Sequence, residues 1–177
     1  IRENTNIFRL KEISRESTRR FLSHYTETAE IASNIIKCID SIPDDVSVDK
    51  LSLLHLDLRP ANIIVSPYTS SVLSIIDWGC VAISNPILEI GIALLHTNGK
   101  NINDFLKGYC SDNKEAEELF VKAYPYGMMF MGKELSKATQ LRNLPVVNIF
   151  KHRIQEHTEI YNNLIKRAEK HTLKTTA

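Results

Sequence analysis

The sequence predicts an α+β fold that is mainly α, with a small β-hairpin platform laid on helices. Within residues 14–42 the apolar positions recur at steps of three and four, which is the period of an amphipathic helix. Three short apolar runs follow at 51–54, 63–65 and 72–76, and polar loops separate them, as in small antiparallel strands. After Pro86 the pattern is helical nearly to the end of the chain.

The sequence divides into three parts: 1–50, 51–80 and 81–177. The first part is predicted to be a linker or short strand (1–13) followed by the amphipathic helix, with a break near Ser23 left open. Proline delimits the helices of the last part, since it cannot donate within a helix. These helices are expected over 87–96, 103–109, 115–124, 126–141 and from Pro145 to about Lys170, with a frayed tail at 172–177.

Composition excludes several classes of protein. The chain has 177 residues, 24% of them charged, and a net charge of +1, which favours neither a nucleic-acid partner nor an anionic membrane. No apolar run approaches the roughly 20 residues that span a bilayer. The three scattered cysteines lack a CxxC pair, so they predict neither a zinc site nor a disulfide framework. The first residues include no starting Met and no signal-peptide core, and we expect a cytoplasmic protein.

Three polar side chains stand out between the predicted strands. Asp57, Asn62 and Asp77 each lie beside an apolar run, and two strands that return side by side would bring them to one rim. Phosphoryl transfer needs such a set, since one carboxylate orients the attacking hydroxyl while an Asn and an Asp hold metal ions. Oxygen ligands of this kind suit Mg²⁺. For Asp57 taken alone, capping a turn is the competing interpretation.

The residues around this set resemble a known family. His55-Leu-Asp57-Leu-Arg59-Pro-Ala-Asn62, Ile76-Asp77-Trp78-Gly79 and Asn85-Pro86-Ile-Leu-Glu89 follow one another along the chain. They closely resemble the aminoglycoside phosphotransferase and choline kinase-like enzymes. That pattern is His-x-Asp, four residues, Asn, then Ile-Asp-Trp or Ile-Asp-Phe, then Asp-Pro-x-x-Asp or Glu. The resemblance runs over about 51–95 and implies the C-terminal helical lobe of a protein kinase-like fold.

The resemblance also implies roles. Asp57 would be the catalytic acid that accepts or orients the proton of the substrate hydroxyl. Asn62 and Asp77 would bind Mg²⁺ against the phosphates of ATP or another nucleoside triphosphate. Arg59 would contact the phosphate that is transferred. An equally weighted alternative is that Arg59 is an ordinary surface charge.

Two further residues would support the loop. His55 would be hydrogen-bonded beneath it, and Glu89 would be a buried acid that braces it through backbone amides. The sequence departs from the family pattern twice, with Leu56 where Gly is usual and Asn85 where Asp is usual.

The spacing between Asp77 and Glu89 indicates which kind of molecule accepts the phosphoryl group. Only eleven residues separate Asp77 from Glu89, which is too short for the activation segment of a protein kinase. The resemblance therefore implies transfer to a hydroxyl of a small molecule, one that is aminoglycoside-, choline- or sugar-like. A non-catalytic kinase-like module that binds a ligand through the same cleft is the alternative.

The nucleotide-binding half of such an enzyme has no counterpart in the sequence. Only 54 residues of the sequence precede His55, and the first glycine is Gly79, so these 54 residues contain no glycine-rich loop. Lys11 is weighed as a phosphate-binding lysine, but Arg9 and Lys11 are better interpreted as solvated charges on a linker. We expect this chain alone to be inactive or nearly so, and to need an N-terminal lobe of the same protein.

Weaker signals have ordinary interpretations. His152 and His157 are expected on a solvated face of the last helix. The bulky residues from Tyr124 to Met131 predict core packing, with a wall of the acceptor pocket as the alternative. Acidic residues from Asp112 to Glu118 are expected at an exposed first turn, although they could attract a cationic acceptor.

Overall fold

The computed structural model describes residues 7–22, 29–43 and 51–175, and these are mainly helical. They form six α-helices and four short strands, with short 3₁₀ turns between them. The helices are α1 (Ile7–Phe21), α2 (Ala29–Ser41), α3 (Ile87–His96), α4 (Ile102–Lys107), α5 (Asn113–Gln140) and α6 (Leu144–Thr175). The strands are β1 (Ser52–Leu54), β2 (Ile63–Val65), β3 (Val72–Ile75) and β4 (Ala82–Ser84).

Helix α5 is the centre of the fold, because each of the other five helices packs against it. Its buried side chains include Phe120, Tyr124 and Leu135, and the core continues into Ile35 of α2 and Leu94 of α3. Burying aliphatic and aromatic side chains of this size contributes roughly 1.5–3 kcal/mol each. The first helices therefore share one core with the helices that follow the strands.

The prediction of a strand or linker at the start of the chain is wrong for residues 7–13, which belong to α1. Lys11 is buried rather than solvated, and its Nζ donates to the carbonyl of Ile42 at 2.6 Å. Ser14 and Thr18 lie on the same buried face of α1. The predicted amphipathic helix therefore begins too late, at residue 14, since Lys11 occupies a buried position that an apolar pattern would fill. The predicted break near Ser23 lies outside the described residues.

Pro125 does not end a helix, contrary to the prediction. Helix α5 continues through it from Asn113 to Gln140, and Pro125 itself is buried. An internal proline costs a helix about 3 kcal/mol. Burial of its neighbours Tyr124 and Tyr126 offsets that cost, which is a tertiary effect that no local rule contains.

The helices α3 and α5 cross at two glycines. A Cβ on Gly91 would lie 2.5 Å from the carbonyl oxygen of Ala123 and 2.7 Å from the amide nitrogen of Gly127. Only glycine permits this approach of the two backbones. The close crossing fixes the position of α3 relative to α5. Glu89 lies on α3 two residues before Gly91, so the crossing fixes its position too.

The strands form two separate two-stranded antiparallel sheets rather than one platform. β2 pairs with β3, so that Ile63 faces Ile75, with an irregularity between Ile64 and Val65. β1 pairs with β4, a strand that the sequence analysis did not predict. The predicted strands at 51–54, 63–65 and 72–76 are otherwise confirmed, within a residue or two at their ends.

The last helix is longer than predicted. Helix α6 reaches Thr175, so residues 172–175 are helical rather than frayed, while 176 and 177 lie outside the described residues. The prediction of a helix over 87–96 is confirmed by α3. Among the described helices, none combines the length and the apolar character that crossing a bilayer requires.

Candidate active site

The polar loop of residues 55–62 (the 55–62 loop) connects β1 to β2 and holds Asp57 against Asn62. The Nδ2 of Asn62 donates both to the backbone carbonyl of Asp57 at 2.8 Å and to its Oδ2 at 2.9 Å. Asn62 is buried, whereas Asp57 is half-buried. A buried amide with two donors in use holds the neighbouring carboxylate in one orientation.

Asp77 is brought beside this pair by strand pairing. The amide of Ile76 donates to the carbonyl of Asn62 at 3.0 Å, which extends the β2–β3 ladder by one step. Asp77 follows with φ 63° and ψ 56°, a left-handed conformation that is costly for a residue with a Cβ. Its carboxylate is exposed and has no hydrogen bond within the described residues. Asn62 and Asp77 therefore lie at the same end of the hairpin.

The side chain of His55 connects the 55–62 loop to the end of β3. Its ring is buried, and Nε2 lies 2.8 Å from the carbonyl of Ile76. Because a carbonyl can only accept, Nε2 carries the proton, and Nδ1 can accept from the amide of Asp57 at 3.3 Å. The ring also contacts Trp78, with 4.8 Å between centroids. His55 thus ties the loop that bears Asp57 to the strand end that bears Asp77.

Glu89 supports the loop from α3. Its Oε1 accepts from the amide of His55 at 2.8 Å and from the amide of Leu56 at 2.9 Å. Glu89 is in the first turn of α3, where the helix dipole favours a negative charge. One carboxylate oxygen therefore satisfies two backbone donors at the start of the 55–62 loop.

The two departures from the family pattern have structural explanations. Leu56 has φ 59°, the left-handed region that glycine enters without cost, which is the physical reason for glycine at this position. Leu56 is half-buried and packs against the core, and this packing compensates for the backbone strain. Asn85 accepts from the amide of Ile87 at 3.0 Å through its side-chain oxygen, a bond that an aspartate could also make.

Arg59 lies beside Asp57 at the surface. The distance from its Nε to Oδ2 of Asp57 is 3.3 Å, and its side chain is 46% exposed. An ion pair this exposed contributes only about 0–1 kcal/mol. The contact places a guanidinium next to the carboxylate but does little to stabilise the fold.

The donor set fits a hard cation such as Mg²⁺. Because Asn62 uses its nitrogen on Asp57, its Oδ1 keeps its lone pairs, and the carboxylate of Asp77 is unpaired within the described residues. In the part of the chain that the structure describes, no group of three His, Cys, Asp or Glu side chains could hold a metal. Mg²⁺ commonly takes only one or two protein oxygens and completes its shell with waters and phosphate oxygens.

Two residues near the site were missed by the sequence analysis. His96 ends α3, and burial first, then the charge of Arg153, lower the pKa of its imidazole, while the charge of Asp57 opposes this. Arg153 of α6 donates from Nη1 to the carbonyl of Leu95 at 3.0 Å. The spacing of His96, seven residues after Glu89, could have placed it on the same helix face. No local signal identifies Arg153.

His157 corrects another expectation, since it is fully buried rather than on a solvated face. Its Nε2 is 2.9 Å from the carbonyl of Thr97, while Nδ1 has no partner within the described residues. Burial lowers the pKa of this imidazole, and the hydrogen bond to Thr97 works against the shift. His152, by contrast, is exposed, as predicted.

The other weak signals are confirmed in their ordinary interpretations. Met128 and Met129 are buried in the core, as core packing requires. Asp112 caps α5 by accepting from the amide of Glu115 at 2.8 Å, and this first turn is exposed. Hydrogen bonds from Ser111 to the carboxylate of Glu115 lower its pKa. The three cysteines are free, and burial raises the pKa of Cys38 to about 12.

Comparison with known proteins identifies the class to which this site belongs. The model of the phosphotransferase enzyme family matches residues 3–123, about two thirds of the chain, and so extends well beyond the motifs. The chain belongs to the phosphotransferase enzyme family. Neither the curated proteins nor the solved structures give a match.

Proposed function

We propose that this chain is the catalytic lobe, of the protein kinase type, of a phosphotransferase that moves a phosphoryl group from ATP to a hydroxyl of a small molecule. Membership of the phosphotransferase enzyme family supports the reaction class. The observation that carries the proposal is the pair of hydrogen bonds from Asn62 to Asp57, continued by the Ile76–Asn62 pairing toward Asp77.

In this proposal Asp57 orients the attacking hydroxyl. Asn62 and Arg59 both lie against Oδ2, which leaves Oδ1 without a partner among the described residues. Oδ1 would accept a hydrogen bond from the acceptor hydroxyl and take its proton as the oxygen–phosphorus bond forms and the bond from the γ-phosphorus to the bridging oxygen of ATP breaks, releasing ADP. Arg59, held close to the carboxylate, would contact the transferring phosphoryl group.

The oxygens of Asn62 and Asp77 would hold Mg²⁺. When bound, the ion neutralises the phosphates of the nucleoside triphosphate, and positioning with charge neutralisation supplies most of the catalysis in this chemistry. Ile76 and Trp78 flank Asp77 and are 42% and 46% exposed. They offer apolar contacts beside the metal ligands for a bound nucleotide.

A kinase-like module that binds without catalysis is the second candidate. Exposed apolar side chains on the strands favour it, since Leu53, Val65 and Leu73 are each more than half exposed. Such a surface can bind a ligand or partner without any phosphoryl transfer. A module that only binds a ligand would not require the unpaired Oδ1 of Asp57, which the transfer would use.

Nucleotide binding is tested first, with Trp78 as an intrinsic reporter because the chain has one tryptophan. We expect Mg²⁺-dependent quenching of Trp78 fluorescence by ATP that Asp77→Asn weakens by at least about tenfold, as loss of a charged ligand predicts. Asp104→Asn, at an exposed ion pair with Lys107, is the matched control. Quenching that needs neither Mg²⁺ nor Asp77 would contradict the proposed metal ligands.

Phosphoryl transfer is then measured with Mg²⁺, ATP and a panel of small hydroxy compounds. Residues 1–177 alone are expected to turn over little or no ATP, and a longer form of the protein with a nucleotide-binding lobe is expected to be active. Asp57→Asn should abolish the transfer while nucleotide binding persists. Transfer that persists in Asp57→Asn would exclude the proposed role, and binding without any transfer in the longer form would favour the module.

A further inference from the structure

Two side chains that the proposed transfer does not use lie at the C-terminal end of α3. His96 is seven residues after Glu89, so both lie on the same face of the helix, two turns apart. Glu89 uses that face to contact the start of the 55–62 loop. His96 is half-buried, and its ring has no hydrogen bond within the described residues.

Arg153 reaches the same end of α3 from α6. Its Nη1 donates to the carbonyl of Leu95, the residue before His96, and the side chain is half-buried. Among the described residues this carbonyl is its one partner, and no carboxylate lies within ion-pairing distance. Glu156, one turn along α6, is directed instead at Gly99. A guanidinium has five N–H donors, so Arg153 keeps several free.

The face of α3 that carries His96 also carries Glu89, which accepts from the amides of the two residues immediately before the proposed catalytic Asp57. The charges of Arg153, Asp57 and Arg59 all act on the ring of His96. Burial, and then the charges of Arg153 and Arg59, lower the pKa of the imidazole against the charge of Asp57, which favours the neutral ring that can both donate and accept a hydrogen bond. The end of α3 therefore offers unpaired donors within electrostatic range of Asp57.

We propose that Arg153 and His96, with Arg59 at the rim, bind an anionic group on the phosphoryl acceptor. The acceptor is then a small hydroxy compound that carries a carboxylate or a phosphate ester, a conclusion that rests on the proposed function. A planar guanidinium is the side chain best suited to such a group. A cationic acceptor would meet two guanidinium groups there, while the acidic first turn of α5 is already engaged in capping through Asp112 and Glu115.

Binding of four probes with related skeletons tests this assignment: glycerate, glycerol 3-phosphate, glycerol and choline. They are titrated without nucleotide or Mg²⁺, by calorimetry and by the ring-proton resonance of His96, which His96→Gln identifies. We expect saturable binding of at least one anion, stronger than that of glycerol or choline. Arg153→Gln should weaken it about 10- to 100-fold, as loss of a charge-assisted hydrogen bond predicts. The stronger anion tells whether carboxylate or phosphate ester is preferred.

Two further variants separate binding from folding. Arg153→Lys keeps the charge and should recover part of the affinity if Arg153→Gln is impaired only in binding. Arg167→Gln removes a charge from the same helix at an exposed pair with Glu117 and should bind the anions as the wild type does. Circular dichroism checks each variant. If Arg153→Gln does not fold, Arg153→Lys and His96→Gln must still lower the preference for anion over glycerol.

Failure of both anions to bind, equal binding of glycerol or choline, or anion binding that Arg153 and His96 do not affect would overturn the inference. These outcomes differ from failure of the proposed function. Anion binding that depends on Arg153, with no phosphoryl transfer in the longer form that has a nucleotide-binding lobe, would contradict the proposed function alone. Transfer to a neutral or cationic acceptor that Arg153→Gln leaves unchanged would contradict this inference alone.

Discussion

Asn62 donates from Nδ2 to both the backbone and the side chain of Asp57, at 2.8 and 2.9 Å. The same amide keeps its oxygen free, so one buried side chain orients a carboxylate and retains a potential metal ligand. An exposed asparagine could not do this as well, because water would compete for both ends of the amide.

The variant Asn62→Ala tests the role of this side chain in holding Asp57. Loss of the amide leaves the carbonyl of Asp57 without its donor and frees the carboxylate to rotate. We expect a loss of about 1–3 kcal/mol in the free energy of unfolding, measured by urea denaturation, and, in the longer form that is expected to be active, a fall in kcat of at least about 10²-fold. Asn103→Ala, at an exposed position of α4, is the control. Unchanged kcat in Asn62→Ala would contradict the assignment.

Glu89 is predicted to act through its acceptor oxygen. Glu89→Ala leaves the amides of His55 and Leu56 without a partner and should cost about 2–4 kcal/mol in the free energy of unfolding. Glu89→Gln keeps a carbonyl oxygen at the same place and should cost about 1 kcal/mol. Urea denaturation of both variants measures the difference. Equal losses would mean that the charge, rather than the two hydrogen bonds, stabilises the loop.

The crossing of α3 and α5 should tolerate no Cβ. Gly91→Ala would place a methyl group against the backbone of α5 and push α3 away, which should cost about 1–3 kcal/mol or more. The activity of the longer form should fall too, since Glu89 moves with α3. Gly108→Ala is the control, because only the carbonyl of Phe105 lies near its Cβ, at 3.2 Å. A Gly91→Ala variant as stable as Gly108→Ala would be evidence against the close crossing.

His157 makes the stability of the fold depend on pH. Burial lowers its pKa below the ordinary 6.5 in the folded state, so the neutral ring is favoured there. The resulting stability is fully present above pH 6.5 and is lost as the pH falls from 6.5 through the folded-state pKa. The midpoint of thermal unfolding, measured from pH 7.5 to pH 5, should fall more steeply for the wild type than for His157→Gln.

Removing a histidine from α6 needs its own control in that experiment. His152→Gln changes an exposed position of the same helix and should keep the pH dependence of the wild type. His96 also has a lowered pKa, so some pH dependence should remain in His157→Gln and decrease further in the double variant His96→Gln/His157→Gln. A parallel pH profile for wild type and His157→Gln would show that His157 contributes nothing.

Local sequence patterns predicted the helices and strands that depend on residues close together in the chain. The apolar period of α3 gave its limits, and the short apolar runs predicted β2 and β3. The order and spacing of Asp57, Asn62 and Asp77 predicted a shared site, and the structure brings Asn62 against Asp57 and beside Asp77. In the hairpin, the pairing of β2 with β3 places Asn62, the residue before β2, beside Ile76, the residue after β3.

Other features were decided by tertiary packing. Residues 7–13 of helix α1 were missed because Lys11 takes a buried position there, and α5 runs through Pro125 because its neighbours are buried. His157 has the same residue type as the exposed His152 and differs only in what packs over it.

The sequence by itself therefore determined the family and the polar groups that can come together around the 55–62 loop, since these depend on residue types and their spacing along the chain. The tertiary structure alone decided their partners: Glu89 with two loop amides, and Arg153 at the end of α3. Burial and hydrogen bonding between residues far apart in the chain depend on the packing of whole helices. No local window of the sequence contains that packing.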